Sequence, residues 1–157
     1  MSARSLVVPP STPRDGQCPS PRSPTTTRIG RFGESVARDY LWVSGHRIVA
    51  MNAREGHDEL DIVSIDNAGT LVFTEVRAFT RRTGSHPSGL ATLRGPKLQR
   101  WARAARSWRQ HHPEFVHHRC RFDALAVELS TPARVAHVRG ITIPSPGERS
   151  FSSDHGP

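Results

Sequence analysis

Apolar positions along this chain keep two rhythms, one every third or fourth residue and one every second, and the switches between them mark the elements. Gly33, Val36, Ala37, Tyr40, Leu41 and Ser44 fall on one face at helical spacing, and Gly45 follows where a helix C-cap favours glycine. The rhythm then shortens. HRIVAMN (46–52), LDIVSID (60–66) and TLVFTEV (70–76) read as strands. The last two are joined by Asn67-Ala68-Gly69, whose glycine suits the left-handed position that closes a hairpin with a bulge. After the polar stretch TRRTGSHPSG (80–89), helical spacing returns from Pro96 to about Gln110, with Leu98, Trp101, Ala102, Ala105 and Trp108 as the apolar stripe. RFDALAVEL (121–129) and ARVAHVRGITI (133–143) read as two more strands. The order helix, three strands, helix, two strands predicts an α/β fold, a mixed β-sheet flanked by helices.

Outside this region the rhythm is lost. Residues 1–27 are rich in Pro, Ser, Thr and Arg and are expected to be a disordered tail, and 144–157 a flexible one, which leaves a single domain over 28–143. No stretch approaches the ~18 apolar residues of a membrane span, and the apolar run near the N-terminus is too short for a signal peptide. Two cysteines, Cys18 and Cys120, cannot frame a small secreted domain, so a cytoplasmic location is expected. Lys and Arg outnumber Asp and Glu by 22 to 14, a formal net charge of +8 that favours a polyanionic partner, nucleic acid first among them.

The charges inside the most apolar hairpin are the chemical clue. A three-residue loop at 67–69 makes Asp66 face Thr70, and an antiparallel ladder keeps the sum of partner numbers constant. Asp61 then faces Glu75, and Glu59 faces Arg77. Alternation would put all four side chains on one side of the hairpin, with opposed Cβ atoms roughly 4.5–5.5 Å apart. Two carboxylates so close repel by about 3 kcal/mol at an effective dielectric near 20, unless a cation occupies the gap. Oxygen donors without an adjoining Cys or His cluster suit Mg²⁺ or Mn²⁺. The plain alternative is a Glu59–Arg77 cross-strand pair with Asp61 and Glu75 facing solvent.

GRFGESVARDYL (30–41), HRIVAMNAR (46–54), DELDIV (58–63), LVFTEVRAF (71–79), GPKLQRWARAARSW (95–108) and RFDALAVEL (121–129) resemble, in order and spacing, the YraN-type family of bacterial proteins. That family is similar to archaeal Holliday junction resolvases and has the restriction-endonuclease-like fold. The resemblance implies a PD-(D/E)XK nuclease site, with Asp61 and Glu75 as metal ligands and Glu34 and Glu59 contributing. Two positions depart from the family pattern: Asp58 stands where a glycine is usual, and Arg77 where the Glu-x-Lys would end in lysine. Arginine holds a phosphate well but has little capacity to shed a proton, so it is a poor base. Lys97, the only lysine of the chain, lies near the start of the second helix and is the alternative proton carrier.

Arg94, Lys97, Arg100, Arg103 and Arg106 come every third residue and wind around the second helix, available to backbone phosphates. His111, His112, His117, His118 and Cys120 lack the repeated short spacing of a structural zinc site, and Arg121 with Asp123 reads as a structural ion pair. The expected activity is therefore metal-dependent endonucleolytic cleavage of DNA, branched or damaged, by Asp61, Glu75, Arg77 and Lys97. A non-catalytic nucleic-acid-binding module on the same fold is the alternative, and a small protein whose basic helix contacts an acidic partner is a third reading. Symmetric cleavage of a four-way junction would need two sites, which leaves a homodimer open.

Overall fold

The computed structural model describes residues 26–80 and 95–143. The expected tails, the polar stretch after the third strand and Arg94 lie outside the described residues, apart from Thr26, Thr27 and Thr80. The first helix, α1, runs Thr26–Val43 and so begins inside the segment expected to be tail. Strands follow as β1 (Arg47–Glu55), β2 (Asp58–Ile65) and β3 (Leu71–Phe79), then α2 (Gly95–His111), β4 (Cys120–Glu128) and β5 (Arg134–Val138). β5 is shorter than its apolar pattern suggests.

The five strands form one sheet in chain order, antiparallel except for the parallel pair β3–β4. A parallel pair needs a long crossover, and α2 is its helical part. Each helix covers one face. Val36, Ala37, Tyr40 and Leu41 of α1 pack on Ile62, Val76, Leu125 and Val127. Leu98, Trp101, Ala104, Ala105 and Trp108 of α2 pack on Leu60, Val63, Ile65, Leu71 and Phe73 on the other face. Ala104 takes the buried place expected for Ala102, which is only half-buried. At Gly33, α1 comes so close to Ala78 of β3 that a Cβ there would overlap the alanine methyl. A glycine is what permits the approach.

The hairpin has its expected register. Ile62 pairs with Thr74, Val63 with Phe73, Ser64 with Val72 and Ile65 with Leu71. Gly69 at φ +77° closes the loop, and Asp66 Oδ1 accepts from the N–H groups of Ala68 and Thr70 at 3.0 and 2.9 Å. The ladder between β2 and β3 ends at Ile62–Thr74, however, so neither Asp61 and Glu75 nor Glu59 and Arg77 form the expected cross-strand pairs. The cause is a roll of the β1–β2 ribbon. Met51 and Ile62 face α1, yet Ala53 and Leu60, two residues along, face α2. Asn52, at φ +51°, lies between them opposite Asp61, and there the ribbon turns its faces over. From that point β2 stays with β1, pairing Glu59 with Arg54, while β3 stays with β4, pairing Arg77 with Ala126. The sheet splits.

Candidate active site

Because the roll occurs at Asp61, its side chain is directed along the sheet toward β3 rather than to either face. Its Oδ2 accepts the Val76 N–H at 2.7 Å, supplying the bond that the interrupted ladder does not. Glu75, one residue earlier on β3, points to the α2 face and is only 6 % exposed. Its Oε1 is held by Lys97 Nζ at 2.6 Å and by Arg77 Nη2 at 3.1 Å. Lys97 reaches it from the first turn of α2, one helical turn before Trp101, which anchors the helix in the core. The split opens as a cleft of about 310 Å³, lined by Glu59, Asp61, Glu75, Arg77, Lys97 and Arg100 among others, with Trp101 in its wall.

The electrostatics follow from this placement. Burial pushes the Asp61 carboxyl up to about 7, helped by the charges of Glu75 and Glu34 and opposed by the Val76 N–H and Arg77. Burial also raises Glu75, against the lowering effect of Arg77. Two cations on one Glu75 oxygen favour its ionised form and oppose that rise. Glu34 acts on Asp61 from the opposite face because it follows Gly33, where α1 touches the sheet. Arg77 Nε and Trp101 Nε1 are buried without a hydrogen-bond partner.

Of the residues expected at the site, the fold thus brings Asp61, Glu75, Arg77 and Lys97 together, with Glu59 on the rim and Glu34 within electrostatic reach. Among the described residues no three His, Cys, Asp or Glu side chains are grouped closely enough to hold a metal ion. Of the four carboxylates expected there, Glu59, Asp61 and Glu75 line the cleft, and Asp61 and Glu75 are the two that interact inside it. Two oxygen-donor carboxylates are what a magnesium-like ion takes when waters and phosphate oxygens complete its shell, so the residues fit such an ion in that limited sense.

On α2, Arg100 lines the cleft and Arg106 is exposed, whereas Arg103 is turned onto Asp58 at 2.7 Å. Asp58 thus fixes one of the helix cations. The contribution of Trp101 to the cleft was hidden by its place in the apolar stripe, although its spacing of four from Lys97 puts both on one side of α2. The histidines serve elsewhere: His111 approaches Glu55 at 3.1 Å, His112 stacks on Trp108, and His118 bonds the Gly69 carbonyl. Arg121 and Asp123 do form the expected ion pair, at 2.8 Å. Among the described residues no helix is long and apolar enough to cross a membrane.

Comparison with known proteins gives the chain its relatives. A UPF0102 protein from Methylibium petroleiphilum is 41 % identical over 110 residues, 66 % of this chain and 87 % of its own length. One from Parafrankia sp. is 41 % identical over 115 residues, covering 72 % of this chain and 94 % of the relative. A longer one from Oleidesulfovibrio alaskensis is 41 % identical over 119 residues, 76 % of this chain but only 54 % of that protein. Among solved structures, a repair endonuclease from Pyrococcus abyssi aligns over 73 % of this chain and 42 % of its own, at 13 % identity and a TM-score of 0.36. The model of the uncharacterised protein family UPF0102 matches residues 33–127, from Gly33 within α1 to Val127 in β4, and the chain belongs to that family.

Proposed function

We propose that the protein is a metal-dependent endonuclease that hydrolyses phosphodiesters in DNA, with branched or damaged structures as its substrates. The observation that carries this reading is the buried Asp61–Glu75 pair in the split of the sheet, with Lys97 Nζ 2.6 Å from Glu75. Paired carboxylates of this kind destabilise a fold and are kept where chemistry uses them. Asp61 and Glu75 would hold a Mg²⁺ or Mn²⁺ ion. Such an ion supplies positive charge to polarise a phosphate oxygen and eases the ionisation of water.

The chain's own groups divide the remaining work. Arg77 stays protonated and neutralises charge that builds on the phosphate. Lys97, the titratable nitrogen in contact with Glu75, is the group able to accept or return a proton there. Arg100 on the rim and Arg106 farther along α2 contact backbone phosphates on either side of the scissile bond.

A second reading has its own observation. Lys97 and Arg77 both rest on Glu75 Oε1, which leaves that carboxylate neutralised without any metal. A cleft so balanced serves a nucleic-acid-binding module equally well. Labelled single-stranded, duplex, flapped and four-way DNA incubated with Mg²⁺ or Mn²⁺ separates the two. Cleavage that disappears in Asp61→Asn supports the nuclease; salt-sensitive binding with no cleavage of any member, in either metal, leaves the binding module.

A further inference from the structure

A crevice of about 580 Å³ opens at the other end of the sheet, where α1 ends and β2 turns into β3, and the carboxylate cleft makes no use of it. Its walls include Ser44, His46, Asp66, Asn67, Arg121 and Arg139. The left-handed Gly45 brings the chain out of α1 against the Asn67 amide, which occupies the space a side chain there would need. The wall is therefore built, not a gap between loose loops.

Most of its polar groups are already engaged. Arg121 spends Nη1 on Asp66 Oδ2 at 2.7 Å and Nε and Nη2 on the two oxygens of Asp123 at 2.8 and 3.1 Å. Asp66 is saturated on its other oxygen by two backbone N–H groups. Asp123, 0 % exposed, also receives His137 Nε2 at 2.9 Å and the Gly140 N–H at 3.0 Å. Burial alone would raise its carboxyl, but these bonds bring it down to about 2.

Among the donors left over are Arg139 and His46. Arg139 is exposed and takes no part in any ion pair or side-chain hydrogen bond of the described residues, while the Gly140 bond to Asp123 fixes the backbone beside it. His46 is 3 % exposed, and its Nδ1 lies 3.0 Å from the fully buried Ser64 hydroxyl. Burial, with Arg121, Arg139 and His137 adding to it and Asp66 opposing, lowers the pKa of this histidine and keeps the ring neutral. In the tautomer in which Ser64 donates to Nδ1, the ring proton is on Nε2, which no hydrogen bond of the described residues engages, on a residue that lines the crevice. Across the hairpin loop a second hollow, sharing Ala68, is lined by His117, His118 and Arg119, so the rim is basic on both sides.

We propose that this crevice is a phosphate-binding site, in which Arg139 supplies the charge and His46 Nε2–H a directed hydrogen bond, separate from the carboxylate cleft and independent of metal. The ligand is a phosphate group, either free or carried by a nucleic acid. The full chain in EDTA is titrated with inorganic phosphate, a 5′-phosphorylated oligonucleotide and its 5′-hydroxyl counterpart, following the His46 ring ¹⁵N resonances and the melting temperature.

The expected result is a saturable shift of His46 Nε2 that weakens roughly tenfold or more in Arg139→Ala, as loss of a charge-assisted contact requires, and persists in Asp61→Asn. Preference for the 5′-phosphorylated strand identifies a terminal phosphate, equal binding of both strands a backbone phosphate, and response to the inorganic ion alone a free anion. Arg139 is on the surface, so its removal leaves folding intact. If none of the three probes moves His46, or if Arg139→Ala binds as wild type does, the site is refuted; loss of binding in Asp61→Asn as well would assign the anion to the cleft instead.

Discussion

Asp61→Asn should make the metal-free protein more stable at neutral pH, although it removes a residue that the proposed reaction needs. In the folded chain the Asp61 carboxyl titrates at about 7, against 3.8 for an unperturbed aspartate. A group whose pKa is raised by folding contributes its stability fully below the unfolded value and loses it as pH climbs through the folded one. Here the loss begins near pH 4 and is complete just above pH 7. A shift of about three units corresponds to a ceiling of roughly 4 kcal/mol. Relaxation of the cleft and the nearby Arg77 and Lys97 cations bring the expected gain at pH 8 to about 1–3 kcal/mol.

Asparagine has the shape to realise it. Its Oδ1 can keep the Val76 N–H that Asp61 now accepts at 2.7 Å, and its amide can face Glu75 without repulsion. Thermal melts of wild type and mutant in EDTA at pH 4.5 and pH 8 test this, with an expected rise of several degrees at pH 8 and little at pH 4.5. Adding Mn²⁺ at pH 8 should then raise the wild-type melting temperature and leave the mutant nearly unmoved, since a ligand stabilises only the state that binds it. A mutant no more stable than wild type at pH 8, or one equally stabilised at both pH values, would show that Asp61 carries no buried-charge penalty, and the reasoning about the cleft would fail with it.

Lys97→Ala should abolish metal-dependent cleavage while Arg77→Lys changes it little, if Lys97 is the proton carrier; a rise in rate with Arg77→Lys in single-turnover assays would give that role to position 77. Arg100→Ala combined with Arg106→Ala should weaken binding to all DNA sequences alike and make the slope of log K against log salt shallower by nearly two units; an unchanged slope in fluorescence titrations removes α2 from the interface. Gly33→Ala should cost about 1–3 kcal/mol in urea unfolding, because the new methyl meets Ala78 between two packed backbones. Asp123→Asn should cost about 3–5 kcal/mol, since it strands Arg121 and His137 around a buried site, and a wild-type midpoint retained by the mutant would contradict the network.

The register of the hairpin was legible because a three-residue loop and the constancy of an antiparallel ladder leave no freedom once Gly69 takes the left-handed turn. The helices were legible for the same kind of reason: Val36, Ala37, Tyr40 and Leu41, and Leu98, Trp101, Ala105 and Trp108, are buried where their spacing puts them. What the sequence concealed is the roll at Asn52. A non-glycine residue at φ +51° inside a strand leaves no mark in a pattern of alternating apolar positions. Alternation across Leu60 and Ile62 therefore assigns both to one face, when they pack on opposite helices. Glu59 and Arg77 were placed opposite each other by the same continuation, and the parting of the strands separates them.

That roll also explains why the carboxylates can be where they are. An aspartate pointing squarely into either packed face would displace core volume and lack a partner, at a cost of several kcal/mol. Directed along the sheet, Asp61 instead replaces a missing ladder acceptor, and the space opened by the parted strands lies beside it. Glu75 needs a different solution, because β3 does not roll and its side chain enters the face covered by α2. The helix supplies the cation. Lys97 is in the first turn of α2, short of the Leu98 and Trp101 anchors, where the chain can present a charged side chain to the cleft while the next residues close the core. Arg77, two residues along β3 on the same side as Glu75, adds the second. A lysine at 77 and a lysine at 97 would therefore meet on the same carboxylate oxygen, one from the strand and one from the helix. The fold keeps a titratable nitrogen 2.6 Å from Glu75 although the strand position is an arginine.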